Sequence, residues 1–379
     1  MKLGAAPVGR FLLIARFVCC LLTCLTAGSD IASGAEKLGP IPGSDGSSCV
    51  RILPHGAAIF SNLCPEFRYE WSDPSHPQAC ELKRVESYDL RLDGQGHALI
   101  PLVLDKPRMM IVDTGGARSE LYSSVVNEMK LPTTDADEAA RKNAYPFGKM
   151  VAFNGYVSDT VAVVPSVSFG VLKFANPTFS VVGDSRTPPL ADNEVAGALG
   201  PSHLMTFDVE FDFAAGKMNL YLQNFQDNCA DRLVYWSNRY AAVPFTLSPE
   251  GHIRFVMRLD GKDVKAVLDS GAPFSSIDSD LAFTRFKVEG SSGGSNTGSH
   301  GARLAVHRFQ SLAIGGVEFR NPELVLVPDE VSLEANSPVP DVILGLREMS
   351  FFHIFIAYSQ SRIYLTLANP TEAKTERSR

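Results

Sequence analysis

"MMIVDTGGARSEL", residues 109–121, runs four apolar residues into an acid and then breaks into Thr-Gly-Gly. Aspartate is depleted from strands, so a buried-looking strand that ends on one asks for a reason. The glycines supply part of it, because without side chains they let backbone N–H groups approach a carboxylate and hold it. Ile111 and Val112 would seat that acid, Asp113, on a buried strand. Taken singly, the stretch also reads as a strand ending in an idle surface turn.

The chain contains it twice. "GHALIPLVLDKPRMMIVDTGGARSEL" (96–121) parallels "GHIRFVMRLDGKDVKAVLDSGAPFSSI" (251–277). Each has a Gly-His start, a strand, a turn after Leu-Asp, a second strand, and then Asp, Thr or Ser, and Gly. The turns, Asp105-Lys106-Pro107 and Asp260-Gly261-Lys262, are hairpin chemistry. Downstream, "FGVLKFANP" (169–177) matches "IGGVEFRNP" (314–322), "ALG" (198–200) matches "ILG" (343–345), and "FDVEFDFAAGKMNLY" (207–221) matches "FHIFIAYSQSRIYLT" (352–366), each at an offset of 145. The acids are offset by 269 − 113 = 156, so the first copy carries 11 extra residues before Phe169.

Short β-branched and aromatic runs between Gly, Pro, Asn and Asp fill both copies. The expected fold is mainly β with a few short helices: two β-barrel-like lobes related by a pseudo-twofold axis. Lobe one spans 86–222, a linker 223–242, and lobe two 243–368; 369–379 is a polar tail. The best helical pattern is "ARSELYSSVVNEMK" (117–130).

Residues 1–35 read as a signal peptide. Lys2 and Arg10 precede "FLLIARFVCCLLTCLTAG" (11–28), and Arg16 spoils that run as a membrane span. Export is expected, with an uncleaved anchor as the lesser reading; the compact leader and the absence of an N-x-S/T sequon with x other than Pro lean toward a bacterial periplasm or medium. Outside the leader remain Cys49, Cys64, Cys80 and Cys229. An even number in an exported chain implies two disulfides. Three pairings are open, and each ties the loop-rich extension 36–85 to Cys229. The net charge of −7, with scattered Lys and Arg, excludes a nucleic-acid-binding surface.

Two acids at equivalent repeat positions change the reading of either one. A pseudo-twofold axis brings equivalent residues face to face, and two carboxylates at about 3 Å cannot both ionise. They would share a proton. One would deprotonate a water while the other hydrogen-bonds a scissile carbonyl. Thr114 and Ser270 would offer hydroxyls to the opposite lobe.

"VDTGG" (112–116) and "LDSGA" (268–272), each followed by two hydrophobic residues and Gly ("ALG", "ILG"), resemble the aspartic protease superfamily. The small fourth residue, Gly116 or Ala272, is similar to the retropepsin group. The tandem layout is similar to the single-chain pepsins, although their longer "DTGSS" is absent. The resemblance covers roughly 86–368. It implies that Asp113 and Asp269 are the catalytic pair, supported by Thr114, Gly115, Ser270 and Gly271. It also implies an endopeptidase whose polypeptide substrate lies extended between the lobes. A flap hairpin is expected in "NAYPFGKMVAFNGYVSDTVAV" (143–163), with Tyr145, Phe147 or Tyr156 at its tip. The lobe-two interval "EGSSGGSNTGSHG" (289–301) reads as a surface loop.

Other residues read as structural. His97 and His252 begin equivalent strands, and His353 lies in a core run. Alternation puts Asp208, Glu210 and Asp212 on one face, expected to be solvated. Trp71 and Trp236 would pack the extension and linker. No metal or cofactor pattern is present, and the chain is expected to be monomeric. The second functional reading is a non-catalytic peptide- or ligand-binding protein on the same scaffold.

Overall fold

The computed structural model describes residues 82–142, 157–183, 195–223, 233–237, 239–288, 305–327 and 340–368. It also describes the strand backbones Cys49–Ile52, Ala58–Ser61, Pro65–Phe67, Glu70–Trp71 and Met150–Val151. The leader, Cys64, Cys80, Cys229, the flap-tip candidates Tyr145, Phe147 and Tyr156, and the loop 289–301 lie outside these residues, as does the side chain of Cys49. Among the described residues no helix is long and apolar enough to cross a membrane.

Each copy of the repeat builds a ten-stranded sheet. In lobe one the central strand Pro107–Val112 pairs antiparallel with Ala98–Val103 and parallel with Val195–Leu199. In lobe two Lys262–Leu268 pairs antiparallel with Ile253–Leu259 and parallel with Val342–Leu344. The strand orders correspond across both sheets, except that lobe one ends on Thr133–Asp135 and lobe two on Pro65–Phe67, donated by the N-terminal extension. The protein is mainly β, with two curled sheets and a few short helices.

Local sequence explains these strands. In Ile253–Leu259 the residues Ile253, Phe255, Met257 and Leu259 are buried while Val256 and Arg258 point to solvent, the period-two pattern of a strand with one wet face. Pro107–Val112 is buried at every position after Pro107, because a central strand is covered on both faces. The lobe-two hairpin closes on Asp260 (φ 47°) and Gly261 (φ 74°), the left-handed pair that a two-residue turn requires.

A seven-stranded sheet joins the lobes. Its middle strands, Phe207–Asp212 and Phe352–Ala357, are copies of each other and pair antiparallel, with Glu210 opposite Phe355. Since 355 − 210 = 145, the repeat offset, the pseudo-twofold axis passes between these two residues. Arg84–Asp89 enters the same sheet two residues before the boundary drawn at 86. Glu70–Trp71 of the extension pairs with the linker strand Arg239–Pro244.

Two expectations change here. The helix over 117–130 contracts to Ser123–Glu128, because Glu120–Tyr122 is taken up as a strand between Thr178–Val182 and Val195–Leu199. Sheet pairing overrides helical propensity there. Second, Asp208 and Glu210 are not solvated: Asp208 is 1% exposed and Glu210 fully buried. Alternation did put the acids on the face opposite Val209 and Phe211. That face, however, is covered by Tyr235 and Trp236 of the linker and by Ser359.

Candidate active site

Both acids sit where a central strand ends. The Asp113 N–H donates to the Leu199 carbonyl at 3.0 Å, and the Asp269 N–H donates to the Leu344 carbonyl at 3.0 Å. Each acid is thereby fixed to the "ALG" or "ILG" strand of its own lobe. The chain then turns back on the carboxylate. Asp113 Oδ1 accepts from the Gly115 N–H (3.1 Å) and the Gly116 N–H (2.7 Å). Asp269 Oδ1 accepts from the Gly271 N–H (2.8 Å) and the Ala272 N–H (3.0 Å).

Thr114 and Ser270 tie the two loops together across the lobes. The Thr114 hydroxyl donates to the Leu268 carbonyl (2.9 Å) and accepts from the Ser270 N–H (3.0 Å). The Ser270 hydroxyl donates to the Val112 carbonyl (2.7 Å) and accepts from the Thr114 N–H (3.0 Å). Both side chains are completely buried. Four bonds with no unpaired hydroxyl make this exchange a rigid clamp.

The clamp sets the acids against each other. A Cβ placed on Gly115 would lie 2.1 Å from Asp269 Cγ, and one on Gly271 would lie 2.4 Å from Asp113 Oδ1. Each acid therefore packs on the other lobe's glycine, a contact no side chain permits. Burial raises the Asp269 carboxyl well above the ordinary aspartate range, and the charge of Asp113 raises it further. The bond from the Gly271 N–H pulls the other way, and a hydrogen bond with Asp113 adds to the rise. Two carboxylates so placed are coupled, and the protonation of one bears on the other.

Residues 256–347, which include Asp269 and "ILG", match the family model described as aspartyl protease. That match takes in 92 of the chain's 379 residues, all in lobe two. Solved structures with a similar fold include the aspartic proteinase from Irpex lacteus (14% identity, 74% of this chain and 97% of that one, TM-score 0.44). They also include basic 7S globulin from soybean (12% identity, 78% and 97%, TM-score 0.45). A third is a retropepsin-like aspartic protease from Rickettsia conorii (16% identity, 33% and 90%, TM-score 0.25). No curated protein matches the chain in sequence.

The remaining sequence candidates fall elsewhere. Met150–Val151 and Val157–Ser158 form a two-stranded hairpin in the interval expected for the flap. His97 Nδ1 pairs with Asp93 at 2.7 Å in the turn that opens its strand. Burial raises Asp93, but the His97 bond and charge outweigh it and bring the acid below its usual range. The backbone N–H of His252, the equivalent residue, donates to Ser248 Oγ at 3.1 Å. These turns lean on the other lobe: a Cβ on Gly96 would stand 3.5 Å from Pro273 Cβ, and one on Gly251 would stand 2.8 Å from Pro201 Cβ. Among the described residues no cluster of His, Cys, Asp or Glu is arranged to hold a metal.

Two pairs beneath the acids were not singled out from the sequence. Ser119 Oγ accepts from the Gly200 N–H, and Ser275 Oγ accepts from the Gly345 N–H, both at 3.0 Å. His203 Nδ1 lies 2.7 Å from Ser119 Oγ, and the Ser275 hydroxyl donates to Glu348 Oε2. A signal existed. Ser119 and Ser275 both follow their acid by six residues, at the same offset of 275 − 119 = 156 as the acids.

Proposed function

We propose that this protein is an exported aspartic endopeptidase that hydrolyses peptide bonds with a water activated between Asp113 and Asp269. One observation carries the reading: both acids are retained, and a complete reciprocal hydroxyl clamp holds them against each other's glycine. A scaffold that only binds has no need for two carboxylates pressed together at an electrostatic cost.

The mechanism follows from the shared proton. The ionised acid takes a proton from the bound water as its oxygen attacks the scissile carbonyl carbon. The protonated acid donates to the carbonyl oxygen and stabilises the charge that develops there. The tetrahedral intermediate collapses with C–N cleavage: the leaving nitrogen receives a proton from the pair, and a hydroxyl of the intermediate gives one back as the new carboxyl forms, which restores the shared proton. No covalent intermediate is needed. The substrate is an extended polypeptide, read by strand-like backbone bonding between the lobes. The leader at 1–35 supports export. In the test, purified protein is incubated with denatured casein at mildly acidic pH. Parent cleavage with both Asp113→Asn and Asp269→Asn silent supports the reading; full activity in either variant sinks it.

A further inference from the structure

We propose that His203 and Glu348 are positioning residues. Through Ser119 and Ser275 they hold the Gly200 and Gly345 turns, and with them the strand ends on which Asp113 and Asp269 rest. The inference rests on the peptidase reading above and names groups that tune the same site.

The chain of bonds is the same in both lobes up to its last member. The Asp113 N–H is held by the Leu199 carbonyl, and the next residue, Gly200, donates its N–H to Ser119 Oγ at 3.0 Å. The Asp269 N–H is held by the Leu344 carbonyl, and Gly345 donates its N–H to Ser275 Oγ at 3.0 Å. Neither glycine accepts a side chain: a Cβ on Gly200 would be 2.1 Å from the Arg118 carbonyl oxygen, and one on Gly345 would be 2.4 Å from the Phe274 carbonyl carbon. The turns are therefore held by these serines.

A hydroxyl that accepts from an amide must still place its own hydrogen. Ser119 and Ser275 are completely buried, so water does not serve. In lobe one the near acceptor for it is His203 Nδ1 at 2.7 Å, with the Gly200 carbonyl more distant at 3.5 Å, while Ser202 Oγ accepts the Ser119 N–H at 2.9 Å. In lobe two Glu348 Oε2 takes both the hydroxyl and the Ser275 N–H (3.2 Å), and Arg347 Nε donates to Glu348 Oε1 at 2.7 Å. His203 and Glu348 occupy equivalent places, at an offset of 348 − 203 = 145.

The two ends differ in kind. Glu348 is an acceptor only. His203 accepts at Nδ1 only while neutral, and its protonated form donates from both nitrogens. Its ring lies on Phe179 (4.8 Å) and Phe169 (6.2 Å), and its polar neighbours are the hydroxyls of Ser119 and Ser202. Among the described residues no charged group acts on the imidazole; burial lowers it to about 4. Acid therefore opens the lobe-one relay, because a protonated His203 repels the Ser119 hydroxyl hydrogen. The loop under Asp113 then loses its fixed end.

The experiment compares full-length parent, His203→Gln, His203→Ala, Glu348→Gln and Glu348→Ala on denatured casein from pH 3 to 7. The alanine variants should lose about tenfold or more in kcat at unchanged KM, the signature of misplaced chemistry with binding intact. The glutamine variants, whose amide oxygen still accepts, should recover most of it. The parent should show a step on its acid limb near pH 4, and His203→Gln should remove it. Parent-like kcat in both alanine variants overturns the proposal, as does an unchanged acid limb in His203→Gln. If the alanine variants do not fold, the His203→Gln profile decides. If the parent cleaves nothing, the peptidase reading fails by itself. Positioning is then judged by NMR titration of the Asp113 and Asp269 carboxyls: a curve altered by His203→Gln upholds it, and identical curves refute it.

Discussion

At the acid loops the two lobes exchange like for like: Asp113 faces Asp269, and Thr114 and Ser270 trade the same bonds in both directions. At the interlobe sheet the same pseudo-twofold axis passes between Glu210 and Phe355, and the symmetry is gone. Glu210 accepts there from Tyr221 (2.8 Å), Tyr235 (2.8 Å) and Asn219, and pairs with His353 Nε2 at 2.7 Å. The Trp236 indole stacks on the His353 ring at 3.9 Å and anchors itself to Thr366 Oγ1 at 2.8 Å. Both sites bury a carboxylate on one axis, yet the carboxylates respond oppositely. Burial pushes both upward. A second acid pushes Asp269 higher, whereas the bond and charge of His353, with the tyrosine hydroxyls, bring Glu210 below its usual range. What faces a buried acid decides whether it stores a proton or a charge. The repeat keeps its symmetry at the acid loops, where the proposed mechanism needs two equal groups, and gives it up where Tyr235 and Trp236 fasten the linker to Glu210 and His353 of the sheet.

Removing one acid should break the symmetric end most severely. On the proposed peptidase mechanism, Asp113→Asn or Asp269→Asn is expected to cut cleavage by about 10³-fold or more, since the general acid or base is lost. Thermal unfolding of either variant should show no loss of stability, because a like-charge conflict is relieved. The asymmetric end should behave in the reverse way. Glu210→Ala leaves Tyr221, Asn219 and His353 without their shared acceptor and is expected to cost about 1–3 kcal/mol in urea unfolding. Cleavage per folded molecule should stay near the parent value, because Glu210 lies in the interlobe sheet rather than at the acid loops.

The two ends were not equally legible in the sequence. Asp113 and Asp269 stood out because a strand ending on Asp-Thr/Ser-Gly, repeated at a matched offset, admits few uses. Asp208 and Glu210 were assigned to the correct face but to the wrong environment. Alternation reports which face a side chain takes and is silent on what covers it. The cover comes from Tyr235 and Trp236, some 25 residues along the chain, and from Ser359, about 150 residues away. Ser119 and Ser275 were legible in principle, since they obey the repeat offset, but a serine in a turn has too many ordinary roles to stand out. His203 and Glu348 were not, because equivalent positions with different residues leave no repeat to see.

Smaller effects sharpen the comparison within the symmetric end. The folded protein resists protonating His203, lowered by burial from 6.5 to about 4, whereas the unfolded chain accepts that proton. Stability is then full above pH 6.5, falls as the pH drops toward about 4, and levels off below. The loss is on the order of 3 kcal/mol, and His203→Gln should flatten that segment of the unfolding free energy against pH. Ser270→Ala leaves the Thr114 N–H and the Val112 carbonyl buried without their partner, and should cost about 1–3 kcal/mol in denaturant unfolding. Arg258→Ala, at a largely exposed pair with Asp263, should change stability by less than about 1 kcal/mol and serves as the reference for surface charge.

The central claim is that one proton is held jointly by two acids, and NMR titration of the Asp113 and Asp269 carboxyl carbons in the full-length protein tests it most directly. The account predicts two separated steps, the upper one well above the ordinary aspartate range, with the upper step abolished by asparagine at either position. Two carboxyls that titrate independently within the ordinary range, each indifferent to replacement of the other, would contradict it.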